Sequence, residues 1–442
     1  VHSPHRCGER FAGSCGDGRR GHQAGDRRHA ISVTGHLSTI NVDYRQGMAP
    51  LSSRQAAARL GVKPQTLYAY VSRGLLTSHR SADGRASLFD TAEVERLARR
   101  GRPRASSRSN TFDLDIATAI TSTANHRVRY RGHDAALLAR TATFEQVAEL
   151  LWSGELPATP PHWTGTLVAA PGDRAIARVR AVAALASAHA DASERLHSAD
   201  VAAQGRWLVA TIADSLPALG DPRVPRLHIG DAAHRGTIAG RLWVRLTPRR
   251  ASPPAVRALN AALVLLADHE LAASTLAARV AASTRAGPHA VVACGLGAVS
   301  GRLHGGESFR VRQLLAEAAD GVAAALDRVL ERQGRVPGFG QVIYPDGDPR
   351  APVLRAMVDD AWPDSPALRL VDEVAAAARK RGAPPPSIDW ALAALGVAAQ
   401  MPDDGAECVF AVARIAGWLA HAMEEYAERP LRFRPRSTYI GP

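Results

Sequence analysis

Three pieces of this chain carry side chains of the kind that move protons. The first runs from Ala267 to Gly306, opens on Asp268-His269-Glu270 and closes on His304-Gly305-Gly306. Between its histidines lie two Ala-rich helical segments split by Ala286-Gly287-Pro288, and such a hairpin brings two distant histidines to one site. The second piece is the loop Val336 to Arg350, VPGFGQVIYPDGDPR, and the third is Asp389, ahead of the apolar run WALAALG. Histidines beside a carboxylate are the groups of general acid–base catalysis. Each has a plainer explanation when taken singly. Asp389 reads as a helix N-cap, His304 as a core histidine, and any one arginine as a surface charge.

The elements that must position these groups are mostly helices. The apolar stripe Val256, Leu259, Ala262, Leu263, Leu266 has helical spacing and runs from Pro253-Pro254 to Asp268-His269. Amphipathic runs are expected near 174–189, 199–215, 234–246, 307–333, 350–361, 366–380, 389–400 and 407–425, and few β-branched clusters interrupt them. Thr143 is placed to cap a helix whose inner face is Phe144, Val147, Leu150 and Leu151. Strand-like alternation is confined to Thr111–Tyr130. The expected fold class is all-α. With 442 residues the chain has room for two or three domains.

No uninterrupted apolar run has the ~18 residues of a membrane span, and no signal peptide is evident. Cys7, Cys15, Cys294 and Cys408 are scattered without a CxxC pair, so neither a disulfide framework nor a metal site is indicated and a reducing cytoplasm is expected. The net charge is +13, almost all of it arginine, since only Lys63 and Lys380 are lysines. Codon bias in a GC-rich genome would spread that charge evenly, yet residues 49–109 hold 12 basic against 4 acidic side chains. The 333 residues after them hold 36 against 34. Such a local excess is what a nucleic-acid contact surface needs.

Residues 1–48, rich in Gly, His and Arg and without apolar periodicity, read as a disordered extension, with Met48 as an alternative start. The segment 49–101 has a helix-turn-helix plan. Ser53 is placed to cap SRQAAARL, Gly61-Val62-Lys63 turns, and Pro64 opens PQTLYAYVSRG. A polar hairpin around Asp83-Gly84 and a third helix from Thr91 follow. The runs AAARLGVKPQTLYAYVSRGLL and ASLFDTAEVERLA resemble the MerR/excisionase type of winged helix-turn-helix. That resemblance implies that Gln65, Thr66, Tyr68 and Arg73 face a DNA groove, with Arg80 and Arg85 near phosphates. The plainer alternative is a small helical module for protein contacts. Residues 102–109 form a linker of Pro, Ser and Arg character.

Beyond the linker, six ordered blocks resemble the citrate synthase family: ADHELAAST, GRLHGG, VPGFG with GDPRA, SIDWALAALG, FAVARIAGWLAH and RPRSTYIGP. An earlier block, YRGHDAALLARTATFEQVAELLWSGELP, matches its N-terminal part, so the resemblance covers about 110–442. It implies a large helical domain (110–306 and 389–442), a small one (307–388), and a homodimer. It also implies condensation of oxaloacetate with acetyl-CoA or another acyl-CoA such as propionyl-CoA, the CoA ester being a substrate and no cofactor residing permanently. Asp389 would then be the base that takes a methyl proton, and His304 the donor to the thioester oxygen as it becomes an enolate. Gly305 and Gly306 would leave the substrate room. His269, Arg350, Arg414 and Arg434 would bind oxaloacetate, with Arg434 supplied by the other subunit. Val336, Pro337, Gly338, Phe339 and Gly340 would meet CoA.

One departure matters most. Where the family places a histidine after Gly-Phe-Gly, this chain has Gln341, whose amide donates a hydrogen bond but transfers no proton at neutral pH. Loss of general-acid help typically costs ~10²–10⁴ in rate. Val342, Ala272 and the pair Glu307-Ser308 also depart from the family's pattern. Two expectations follow. One is a condensing enzyme impaired at Gln341. The other is a DNA-binding regulator whose body senses oxaloacetate or acyl-CoA without turnover.

Overall fold

The computed structural model describes residues 50–72, 75–81, part of 86–97, 115–188, 196–219 and 236–435, with Tyr439 and Gly441. The expected extension 1–48, the linker 102–109, Arg73, Arg85 and the side chain of Gln65 lie outside the described residues. The chain divides into two compact units, 1–113 and 114–442.

In the first unit the helix Ser53–Leu60 is capped by Ser52 rather than Ser53. The Ser52 hydroxyl accepts from the Gln55 amide while the Gln55 side chain reaches back, and Gly61 ends the helix at φ 59°. The second helix is Pro64–Ser72. Strands Ser78–Arg80 and Ser87–Phe89 form the expected wing. A third, two-residue strand that the sequence did not announce, Leu51–Ser52, pairs with the outer side of Ser87–Phe89, Leu51 opposite Phe89. Ala56, Leu67, Tyr70, Leu76, Phe89 and Val94 close its core. Tyr68 is half exposed; its hydroxyl lies against Ser53 and Ser87 with Arg80 nearby, which together lower its pKa. Thr66 is half-buried and Arg80 exposed.

The second unit is helical apart from three short antiparallel strands, Thr121–Ser122, Arg129–Tyr130 and His133–Asp134. The strand-like alternation expected over 111–130 therefore reduces to two-residue pieces. They serve as an anchor for the Asp268-His269-Glu270 turn. The Tyr130 hydroxyl donates to the Asp268 carbonyl at 3.0 Å, Thr121 donates to the Asp268 carboxylate, and Thr123 to Glu270. That turn needs an anchor, because Glu270 sits at φ 50°, a conformation uncommon for a residue with a β-carbon.

The helix Pro253–Leu266 delivers this turn, and the hairpin follows as Ala273–Ser283 and Pro288–Val299. Both hairpin helices pack on Gly405–Ala427, a helix that is long enough to cross a membrane but whose apolar stretch is buried as the core of this unit. Close approach explains two glycines. A β-carbon at Gly295 would stand 2.5 Å from the Trp418 ring, and one at Gly417 2.6 Å from the Ala267 carbonyl. The expected run 307–333 is two helices, Glu307–Ala318 and Val322–Gln333, because Gly321 at φ 151° breaks it.

Candidate active site

The hairpin does bring the two histidines into one region. His269 is buried and electrostatically coupled to Arg350 and Arg414, and His304 is coupled to Arg414. Asp389 is coupled to both arginines as well. Five blocks that are far apart in sequence thus share one buried corner.

Asp389 is not the cap of its helix. Ser387 caps Ile388–Ala398, its hydroxyl accepting from the Asp389 amide at 3.3 Å and standing 3.5 Å from the Asp389 Oδ2. Oδ1 is shut off from solvent and, among the described residues, has no hydrogen-bond partner. A carboxylate in that state holds its charge poorly. Burial, then the neighbouring Glu307 carboxylate, raises its pKa from 3.8 to about 7, against the opposing pull of Arg350. A base that ionises near neutrality is suited to taking a weakly acidic proton.

His304 lies in the turn before Glu307–Ala318, with its ring edge-on to Phe410 at 5.7 Å. Its Nε2 is 2.8 Å from the Ser274 hydroxyl, which accepts from the Trp418 indole at 3.2 Å. The assignment that uses every proton has Ser274 donating to Nε2, so the neutral ring carries its proton on Nδ1. Burial and then Arg414 lower the pKa to about 4, which keeps the ring neutral and a hydrogen-bond donor. Gly305 is required by the fold itself: a β-carbon there would sit 2.7 Å from Val299. At Gly306 the nearest atom would be 3.6 Å away, so only this glycine has space beside it.

The two arginines are held differently. Arg350 donates through Nε and one terminal nitrogen to Asp348, at 3.0 and 2.8 Å. Arg414 donates Nε to the Leu266 carbonyl at 2.7 Å and lies over the Phe410 ring. Among the described residues its terminal nitrogens have no hydrogen-bond partner. A bound carboxylate would supply one. Arg434, by contrast, is exposed on the C-terminal segment and makes no hydrogen bond or ion pair among the described residues.

The loop Val336–Gly340 is built against the helix of Asp389. Val336 and Phe339 are buried, and Phe339 packs on Trp390 at 4.7 Å. Gly338 and Gly340 have φ of 77° and 78°, and β-carbons there would stand 2.6 Å from Val311 and 2.8 Å from Pro384. Much of their backbone is already engaged. The Gly338 amide donates to Glu307 at 2.9 Å, its carbonyl accepts from Ser387 at 2.8 Å, and the Gly340 amide donates to Pro385 at 2.9 Å. Pro337 is buried beside them.

Three site residues were not foreseen from the sequence as participants. Glu307, noted only as a departure, joins Arg335, Arg310 and Gly338. Asp348 grips Arg350 and accepts from the Ile388 amide at 3.0 Å. The Tyr344 hydroxyl lies 2.7 Å from His269 Nε2. The signal for each was weak: acidic residues beside Gly-Gly and Pro-Arg, and a tyrosine in a loop. Gln341 itself turns its amide oxygen to the Val342 amide at 3.0 Å, and Val342 is exposed.

This mostly helical body is similar in fold to solved citrate synthases. The structure of the Thermotoga maritima enzyme aligns over 74% of this chain and 93% of its own, with a TM-score of 0.55 at 26% identity. That of Pyrobaculum aerophilum aligns over 74% and 91%, with a TM-score of 0.58 at 24% identity, a likeness of fold alone. Residues 113–436 match the family of the citrate synthase C-terminal domain, and residues 50–102 match a helix-turn-helix domain. The chain therefore belongs to the citrate synthase family and carries an excisionase-type helix-turn-helix domain ahead of it. Citrate synthase 2 of Bacillus subtilis is 34% identical over 46% of this chain, and that alignment spans 56% of the relative's length. The putative citrate synthase 2 of Mycobacterium tuberculosis is 31% identical over 71% of this chain and 87% of its own.

Proposed function

We propose that the chain condenses oxaloacetate with acetyl-CoA or propionyl-CoA in the cytoplasm, and that water then cleaves the thioester of the adduct, giving citrate or 2-methylcitrate and free CoA. The observation that carries this reading is Asp389 Oδ1, a buried carboxylate oxygen without a partner, in one corner with His304, Arg350 and Arg414. Asp389 takes a methyl proton, and the Nδ1–H of His304 steadies the enolate oxygen. Arg414 and the Arg350 nitrogen that Asp348 does not engage pair with the keto acid's carboxylates, and His269 lies beside them. In this reading residues 307–388 form a small domain that closes on the remainder, Val336–Gly340 meets CoA, and Arg434 reaches the site of a second copy in a homodimer. No resident metal or cofactor takes part.

Release of thiol from the acyl-CoA, dependent on oxaloacetate, tests the proposal. Release at the level of a no-protein control overturns it.

A second reading is favoured by Gln341, which lacks a transferable proton, and by the match to a helix-turn-helix domain. In that reading the chain is a transcriptional regulator that binds oxaloacetate or acyl-CoA without turnover. Binding of oxaloacetate without thiol release is its mark.

A further inference from the structure

A condensing enzyme must deliver a proton to the oxygen of the keto group as the carbon–carbon bond forms. The residue at the family's position for that task is Gln341, and its amide is turned onto the neighbouring backbone. Three residues further on, Tyr344 is buried with its hydroxyl 2.7 Å from His269 Nε2 and its ring edge-on to the imidazole, at 5.4 Å and 62°. The charged and titratable groups facing the phenol are His269, Arg350, Asp348 and Glu270. Two of these, His269 and Arg350, are residues that the proposed function assigns to the keto acid. A keto acid held by those two side chains would lie beside the phenol.

We propose that Tyr344 is the proton donor to the keto oxygen, in place of the side chain lost at position 341; this rests on the condensing reading above. The enolate carbon forms a bond to the keto carbon, and the carbonyl π pair moves onto oxygen. That oxygen takes the Tyr344 proton and becomes the tertiary alcohol. The phenolate left behind sits beside Arg350, which offsets its charge, and regains a proton from water after product leaves. Tyr344 is well suited to wait in the protonated form, since burial raises its pKa to about 12. Gln341 is then not a crippling loss but one half of a relocation of the acid within a single loop.

The test uses the full chain and its Tyr344→Phe variant, with acetyl-CoA and oxaloacetate, and two readouts. The first is thiol release. The second is exchange of the acetyl methyl protons with deuterated water in the presence of malate, which has no keto carbon to attack. Exchange needs Asp389 and His304 but not a donor to the keto oxygen. Loss of about 10²-fold or more in thiol release, with exchange and the KM for oxaloacetate within about threefold, supports Tyr344 as the donor. Partial recovery on adding Gln341→His to the Tyr344→Phe variant supports it further. Thiol release within about threefold of the parent overturns it, as does an equal loss of exchange, which would make Tyr344 only a prop for His269. Exchange without thiol release in the parent chain overturns the donor role while leaving the base in place. Neither signal in the parent overturns the condensing reading as well.

Discussion

Asp348 holds both Arg350 and the start of the helix that carries Asp389. Its carboxylate takes two bonds from Arg350, at 3.0 and 2.8 Å, and a third from the Ile388 amide at 3.0 Å. All three groups are buried. Removing the carboxylate leaves a buried guanidinium unpaired and an amide at the helix start unsatisfied. Asp348→Ala is expected to lose about 3–5 kcal/mol of stability, read by denaturant unfolding. Arg350 holds the Asp348 pKa below 3.8. The pair's contribution is therefore complete above that value and is lost as pH falls below it.

Asp389 has the opposite sign. In the fold its carboxyl stays protonated up to about 7, while in the unfolded chain it ionises above 3.8. Unfolding is favoured progressively as pH rises between those values. Asp389→Asn is expected to raise Tm at pH 8 while abolishing turnover and methyl-proton exchange. In the parent, kcat/KM is expected to fall on the acid side of about pH 7. A profile flat down to pH 5 would remove Asp389 as the base.

Ser274 fixes the proton of His304. Without its hydroxyl the ring is free to take the other tautomer and turn an acceptor toward the enolate. Ser274→Ala is expected to lower kcat by ~10²–10³ with KM for oxaloacetate little changed, since oxyanion donors are lost on that scale. Steady-state kinetics separates the two parameters.

Arg434 makes no hydrogen bond or ion pair among the described residues of its own chain, and the proposed function places it in the site of a second copy. Asp389→Asn and Arg434→Ala chains should each be inactive alone. Mixed and allowed to exchange subunits, they are expected to regain about a quarter of the parent activity, because one site in each mixed dimer is whole. No recovery despite demonstrated exchange would place Arg434 outside the active site.

The helix-turn-helix domain carries the concentrated positive charge of residues 49–109. A gel shift with the gene's own promoter region is expected to weaken steeply as salt rises, and Arg80→Ala to weaken it further. A shift that is insensitive to salt would point away from phosphate contact.

The helices were legible in the sequence because their ends are chemically marked. Thr143 caps where expected, Pro253 opens its helix, and the Ala286-Gly287-Pro288 break falls where the hairpin turns. Five of the six blocks supply the residues that meet in this corner, because each block is local. What could not be read was contact across distance. Nothing in the spacing of His269 and Tyr344 says that they meet, and Asp348 beside Arg350 gives no hint of its hold on Ile388. The break at Gly321 was missed because amphipathic periodicity resumes after it. Ala272 shows the reverse case: its helix starts without a side-chain cap, so the departure from asparagine at that position costs a bond worth about 1 kcal/mol.

The knot at Glu307 has a consequence for how this corner changes over time. Glu307 joins Arg335 and Gly338, and Gly338 joins Ser387 two residues before Asp389. Single substitutions at these four positions each break the same cluster, so their effects will not add. A lineage that alters one must alter its neighbours nearly together. This corner is therefore expected to be inherited as a block, while the loop from Gln341 to Ile343 beside it, open to solvent and bound by few side chains, is free to drift.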